Sequence, residues 1–212
     1  MAHPVYKLKD NTRVPSVTTI IGKFKEAGGL IHWAWSLGME QIDYRKVRDD
    51  AANIGTLAHK MVEQWIRKEP IAIDGTPEMV EKATNAFNLF KEWADQSRLE
   101  ITESEVSLIS EKHRFGGTLD AMLVNGKRSM GDWKTSNSIY SDYLFQLGGY
   151  ALLWEENRPQ EPIDGGFHLM RFAKDSPDFA HYYWAELESA KRGFLLMREL
   201  FDIKAALEKR VG

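Results

Sequence analysis

The chain has 212 residues, 43% of them hydrophobic, a formal net charge of −3 and no cysteine. That suits one domain with a real core, excludes disulfides and thiolate metal sites, and gives no global positive charge to announce a nucleic-acid binder, although a local groove is not bound by the net charge. No run of about 18 apolar residues occurs and the polar start MAHPVYKLKD lacks the apolar stretch of a signal peptide, so the expectation is a cytoplasmic protein without a membrane partner.

In chain order, PSVTTIIGKF (15–24) reads as a short helix capped by Ser16. LIHWAWSLGMEQIDYRKVRD (30–49) reads as a second helix, and its periodic Trp33 and Trp35 are expected in the core. Its cluster of Arg45, Lys46 and Arg48 suits phosphate contact or an ordinary solvated face, because Asp43, Asp49 and Asp50 flank it. A third helix is expected over 50–68 and a fourth over 77–97, where Met79, Ala83, Phe87, Phe90 and Trp93 recur at helical spacing. The period then falls to two. Strands are expected at 101–110 (ITESEVSLIS), 113–124 (HRFGGTLDAMLV) and, after a turn at NGK, 128–136 (RSMGDWKTS). A helix YLFQLGGYALLWEE, two strands GGFHLMRFA and FAHYYWAEL, and a last helix ending near Arg210 complete the pattern. The order predicts one α/β (α+β) domain over 1–212: a mainly helical part (1–98), then a small mixed central sheet with flanking helices (99–212).

The stretch GDWKTS is where chemistry enters. Asp and Lys are poor strand formers, yet side chains alternate along a strand, so Asp132 and Lys134 share one face and Trp133 takes the other. The preceding strand carries Asp120. A two-residue turn would pair 120 with 131 and separate the two acids; a three-residue loop over 124–126, or a bulge, would pair 120 with 130 and bring both to one face. The odd loop is the expectation, with Gly126 at its left-handed position. Two adjacent carboxylates need positive charge between them. Lys134 supplies one charge, and a hard divalent cation such as Mg²⁺ or Mn²⁺, one or two ions, would supply more. Acid, then acid-x-Lys on a neighbouring strand, suits metal-assisted hydrolysis. On the third helix Gly55, His59 and Glu63 lie four apart on one face: His59 as a candidate ligand, Glu63 as a further ligand or a partner of one, Gly55 allowing close approach. Glu103 and Glu105 offer competing acids. Gln146 and Tyr150 share a face of the later helix, whose interior Gly148 and Gly149 each cost roughly 1 kcal/mol relative to Ala and so imply close packing on the sheet or close approach of a ligand.

The set GGTLD…GDWKTS…QLGGY, preceded by GTLAHKMVE, resembles the PD-(D/E)xK nuclease superfamily, and within it the RecB-like exonuclease branch of phage exonucleases, the mitochondrial genome maintenance exonuclease and CRISPR-associated RecB-like exonucleases. The resemblance spans about 14–155 and includes the opening VPSVTTI; it departs in reading GGTLD where the superfamily name expects Pro-Asp. It implies a restriction-endonuclease-like fold and a Mg²⁺- or Mn²⁺-dependent exonuclease on DNA ends, in recombination, repair or phage DNA processing. Residue by residue, it implies metal ligation by Asp120, Asp132, the Trp133 carbonyl and His59, and catalysis by Lys134 with Asp120, Asp132 and Glu63. Gln146 and Tyr150, with Ser16, Thr18 and Thr135, are implied at DNA-binding or supporting positions. Competing functions are a DNA-binding or recombination-partner protein without useful turnover, and a structure-specific endonuclease or nickase with the same chemistry. Cutting would be either distributive or made processive by a ring of subunits, a homo-oligomer, and no sequence signal chooses between the two.

Overall fold

The computed structural model describes residues 4–25, 28–136 and 138–211; Met1, Ala2 and His3 of the polar start lie outside the described residues. A two-stranded ribbon, β1 (Tyr6–Lys7) and β2 (Arg13–Val14), precedes α1 (Val17–Gly22), α2 (Gly28–Met39), α3 (Tyr44–Ile66) and α4 (Pro77–Gln96). Then come β3 (Glu100–Ser110), β4 (Phe115–Val124), β5 (Arg128–Lys134), α5 (Ser141–Asn157), β6 (Phe167–Phe172), β7 (Phe179–Trp184) and α6 (Glu188–Val211). The last five strands form one mixed sheet in sequence order. All neighbours are antiparallel except β5 and β6, which α5 joins as a parallel crossover. This is the expected α+β architecture, a restriction-endonuclease-like mixed sheet flanked by helices. Among the described residues no helix is long and apolar enough to cross a membrane.

Two cores sandwich the sheet. On one side α1, α5 and α6 bury Val17, Leu147, Trp154 and Phe194 against Phe115, Leu119 and Met130. On the other, α3 and α4 bury Leu57, Met61, Phe87 and Phe90 against Leu123, Trp133 and Phe172. β6, between the two, is buried at all six positions, as a central strand should be.

Local chemistry sets most boundaries. Ser16 caps α1, its hydroxyl accepting from Thr19 N–H at 3.0 Å. The expected second helix is two elements. It stops at Met39, Gln41 takes a left-handed φ of 59°, and Asp43 starts α3 by accepting from Arg45 N–H at 2.9 Å. The expected break near 49–50 falls inside α3. The aromatics of α2 are not core: no residue of α2 is buried, Trp35 is 62% exposed, and the helix belongs to neither cluster.

The glycine pair in α5 has a packing cause. A Cβ on Gly148 would sit 2.7 Å from the backbone of Ala190 and Lys191 in α6, and one on Gly149 would press on Val17 and Phe194. The close approach is therefore to neighbouring helices, not to the sheet. Since backbone cannot yield as a flexible side chain can, Gly148→Ala should destabilise the fold by about 1–3 kcal/mol in urea titration. Gly22→Ala, with open space at its Cβ, should change it by less than about 1 kcal/mol.

Candidate active site

The hairpin between β4 and β5 decides whether the two aspartates meet. Val124 pairs with Arg128, so the loop is Asn125-Gly126-Lys127, three residues, with Gly126 at φ 71° and Asn125 N–H donating to Lys127 O at 3.1 Å. The loop is odd as expected but sits one residue later, because Val124 stays in the ladder. The register Ala121–Gly131 then places Asp120 level with Asp132 rather than with Met130. Here the strands part. The ladder stops at Ala121–Gly131, and the Asp120 side chain takes the next hydrogen bond, its Oδ2 accepting from Trp133 N–H at 3.0 Å. The two carboxyls are close enough for the charge of Asp120 to raise the pKa of Asp132.

The third strand adds an acid. β3 and β4 pair through Ser104–Ala121 and Val106–Leu119, which sets Glu105 level with Asp120. Glu105 has a φ of 52°, left-handed for a non-glycine residue and worth roughly 1–3 kcal/mol of local strain. Opposite that strained position the alternation of β4 breaks: Leu119 joins the α1/α5/α6 core, whereas Ala121, two residues on, joins the α3/α4 core. The sheet thus turns over at Asp120, re-aiming side chains as bulges do. The result is a row of carboxylates, Glu105, Asp120 and Asp132, across three adjacent strands.

The helices close the row. From α3, His59 comes within reach of the Trp133 backbone carbonyl, and ligand atoms of His59, Glu105 and Asp120 all lie within 4.8 Å of one another. A Cβ on Gly55 would meet Thr135 Oγ1 at 2.9 Å, so the glycine lets α3 approach the end of β5. Glu63 faces Glu105 electrostatically but is paired with Arg67 at 2.7 Å. Lys134 Nζ lies 2.5 Å from Asp132 Oδ2 and 5.2 Å from the centre of the Tyr143 ring of α5. Gln146 Nε2 donates to Tyr150 Oη at 2.8 Å. Ser16 and Thr18 stand outside this row: Ser16 caps α1 and Thr18, exposed, exchanges a 3.0 Å hydrogen bond with it. Glu105 was legible only as one of two competing acids, since its place depends on a register that crosses a bulge at Ile101–Glu103. A hydroxyl chain, Tyr6 to Thr118 at 2.9 Å and Thr118 to Ser107 at 2.6 Å, flanks Asp120 and had no sequence signal.

Charge does not balance in this row. Asp132 is fully buried; Oδ1 has no hydrogen-bond partner, and Oδ2 has only the ion-pair contact with Lys134, which lacks hydrogen-bond geometry. Burial, aided by Asp120 and opposed by Lys134, pushes the Asp132 carboxyl up to about 7. Burial with Asp120 and Glu63 pushes Glu105 up to about 8, and burial raises Asp120. For Lys134, burial works against the ammonium, but the Asp132 and Asp120 carboxylates raise its pKa. His59 is held down at about 4 by burial and the Lys134 charge, so it is a neutral imidazole with a free lone pair. Three carboxylates, one neutral imidazole and orphaned buried oxygens form a donor set that fits a hard divalent cation. A surface pocket of about 340 Å³ between Trp93, Arg98 and His181 shares no residue with this row.

No family model and no curated protein matches the sequence. Among solved structures, the chain is similar to a presumptive exonuclease from Eubacterium rectale at 12% identity, covering 69% of this chain and 64% of that one, with a TM-score of 0.49. It is similar to an alkaline exonuclease from Laribacter hongkongensis at 13% identity, covering 76% and 90%, with a TM-score of 0.35. A third structure, without a stated activity, matches at 19% identity over 58% of each chain, with a TM-score of 0.38. The chain thus spans 58% and 64% of two of these proteins. At such scores the likeness assigns no activity.

The crowded acids make the cation-free fold pH-sensitive. Folded Asp132 and Glu105 keep protons that the unfolded chain releases above its ordinary carboxylate pKa, so they favour unfolding as pH rises toward 8. His59 acts oppositely, but only below its ordinary 6.5. In chelator, Tm should therefore fall by a few °C between pH 6.5 and 8. Millimolar Mn²⁺ should cancel the fall, and Asp132→Asn should shrink it without cation, leaving the part that Glu105 contributes; a flat wild-type profile would contradict the site's charge balance.

Proposed function

We propose that the chain is a Mg²⁺- or Mn²⁺-dependent deoxyribonuclease. The observation that carries this is the convergence of Asp120, Asp132 and Glu105 on three adjacent strands, with Lys134 2.5 Å from Asp132 and His59 behind them. Asp120, Asp132, Glu105 and His59 would hold the cation, with the Trp133 carbonyl beside them. A bound hard cation supplies Lewis acidity toward a phosphate oxygen and lowers the pKa of a coordinated water.

The chain's own groups do the rest. Lys134 holds the Asp132 carboxylate and presents an ammonium where negative charge grows on a pentavalent phosphorus. Tyr150 is kept a phenol, its pKa raised well above the ordinary value by burial and by Asp120 and Asp132, and because Gln146 donates to its oxygen its own proton is free for an anionic acceptor. Glu105, whose carboxyl burial and Asp120 hold protonated near neutral pH without cation, would release that proton as it takes up the ion. Glu63, ion-paired to Arg67, supports Glu105 by charge. Exonuclease action on DNA ends, in recombination, repair or phage DNA processing, follows from the motif resemblance of GGTLD, GDWKTS and QLGGY.

Purified protein should degrade linear DNA with Mg²⁺ or Mn²⁺ and stop in chelator, leaving a covalently closed circle intact. Asp132→Asn and Lys134→Ala should each lower the rate by about 10²–10³-fold or more. Glu105→Gln should cost more than Glu63→Gln. Full activity in Asp132→Asn would remove the proposal, and cleavage of the circle would turn it into an endonuclease.

A further inference from the structure

We propose that the outer face of α6 is a self-pairing surface, on which the same helix of a second copy of this chain docks in parallel. The helix has two apolar faces. Ala190, Phe194 and Arg198 are buried against the body. Leu196, Leu200, Ile203 and Leu207 are 58, 48, 47 and 53% exposed, and Val211 is 90% exposed. At 3.6 residues per turn, the four-three-four spacing from 196 to 207 draws a narrow stripe roughly 150° round the helix from the buried face. That spacing is the d-a-d-a seam of a heptad pattern, and a seam so narrow suits two strands.

Charge selects the partner and its direction. Glu199 and Lys204 lie on opposite flanks of the stripe, five residues apart, the separation at which a g position of one helix meets the e position of a parallel partner. Nearby charges are engaged within the chain, Arg198 with Asp202 at 2.6 Å and Glu208 with Lys23 at 3.5 Å. Glu199 and Lys204 make no ion pair among the described residues. In a parallel pair each Glu199 meets the other copy's Lys204; in an antiparallel pair like would face like. Because the buried face lies behind the stripe, the two bodies would sit on the outer sides and not collide. Two heptads are short for an isolated coiled coil, but α6 is already held helical by its packing, so the nucleation cost does not fall on the dimer. The seam covers well under the about 1,600 Å² of a standard interface, so the dimer should be concentration-dependent, with a Kd of roughly 10–100 μM.

Sedimentation of the full chain from about 5 to about 200 μM tests this. The average mass should climb from 24.3 kDa toward twice that value. Leu200→Glu/Leu207→Glu, at exposed sites, should stay monomeric with an unchanged circular dichroism spectrum. Glu199→Lys should weaken pairing about 5- to 10-fold, and Glu199→Lys/Lys204→Glu should restore it. A wild-type chain that is monomeric throughout, which would leave the stripe to some other partner, overturns the proposal. So does association that survives the double Leu→Glu change. A Glu199→Lys variant that pairs as well as wild type overturns the parallel arrangement.

Discussion

The repulsion among Asp120 and Asp132, both buried, and the half-buried Glu105, gathered against a single ammonium, is what the rest of the molecule is arranged around. Isolated buried carboxylates cost several kcal/mol each, and a fold that only had to be stable would replace them with apolar residues. Here they are gathered by three adjacent strands and left short of donors: neither Asp132 oxygen has a hydrogen-bond partner, and Asp120 has the Trp133 N–H. A raised pKa is the fold's relief without a cation, and a divalent ion would be the relief with one. The same imbalance therefore weakens the empty protein and makes the site receptive.

Two backbone irregularities create that gathering. β4 and β5 separate after Ala121–Gly131, so a carboxylate rather than a carbonyl meets Trp133 N–H. Glu105 takes a left-handed φ on β3, and the faces of β4 exchange across Asp120. In a regular sheet the acids of neighbouring strands would stand upright on one face. The turnover of the sheet brings them instead toward the imidazole of α3. Strain in such a place persists because the two cores, one on each side, over-determine the strand positions.

The parts of this site that obey local rules were legible. Strand alternation in GDWKTS put Asp132 and Lys134 on one face, and an odd, three-residue loop containing Gly126 was legible as what brings Asp120 toward Asp132. Ser16 capped α1 where a hydroxyl before an apolar run should. What local rules do not encode was missed. The loop position was off by one because strand propensity and turn preference compete at Val124. The break between α2 and α3 was hidden because a continuous helical period runs through Gln41, and only the cap at Asp43 marks it. Trp35 fitted a core pattern, yet whether a helix face is covered depends on its neighbours, not on its sequence. Glu105 could not be separated from Glu103, since the bulge between Ile101 and Glu103 decides which acid meets Asp120 while Glu103 turns to Arg158 at 3.5 Å.

Trp133 shows how hydrophobic packing positions the charges. Its indole is buried in the α3/α4 core, in edge contact with Phe90 at 5.3 Å, while its backbone N–H holds Asp120 and its carbonyl faces His59. The other wall of that core is α3 itself, through Ile54, Leu57, Ala58, Met61 and Val62. His59 therefore stands at a distance from β5 that is fixed by apolar contacts on either side of it, with Gly55 against Thr135 setting the closest approach. A change at Phe90 or Met61 would alter the spacing of the polar ligands without touching one of them. The placement of the acids and the imidazole is in this sense a property of the core, and that is why a site that opposes folding can be held to fixed geometry by a fold that buries it.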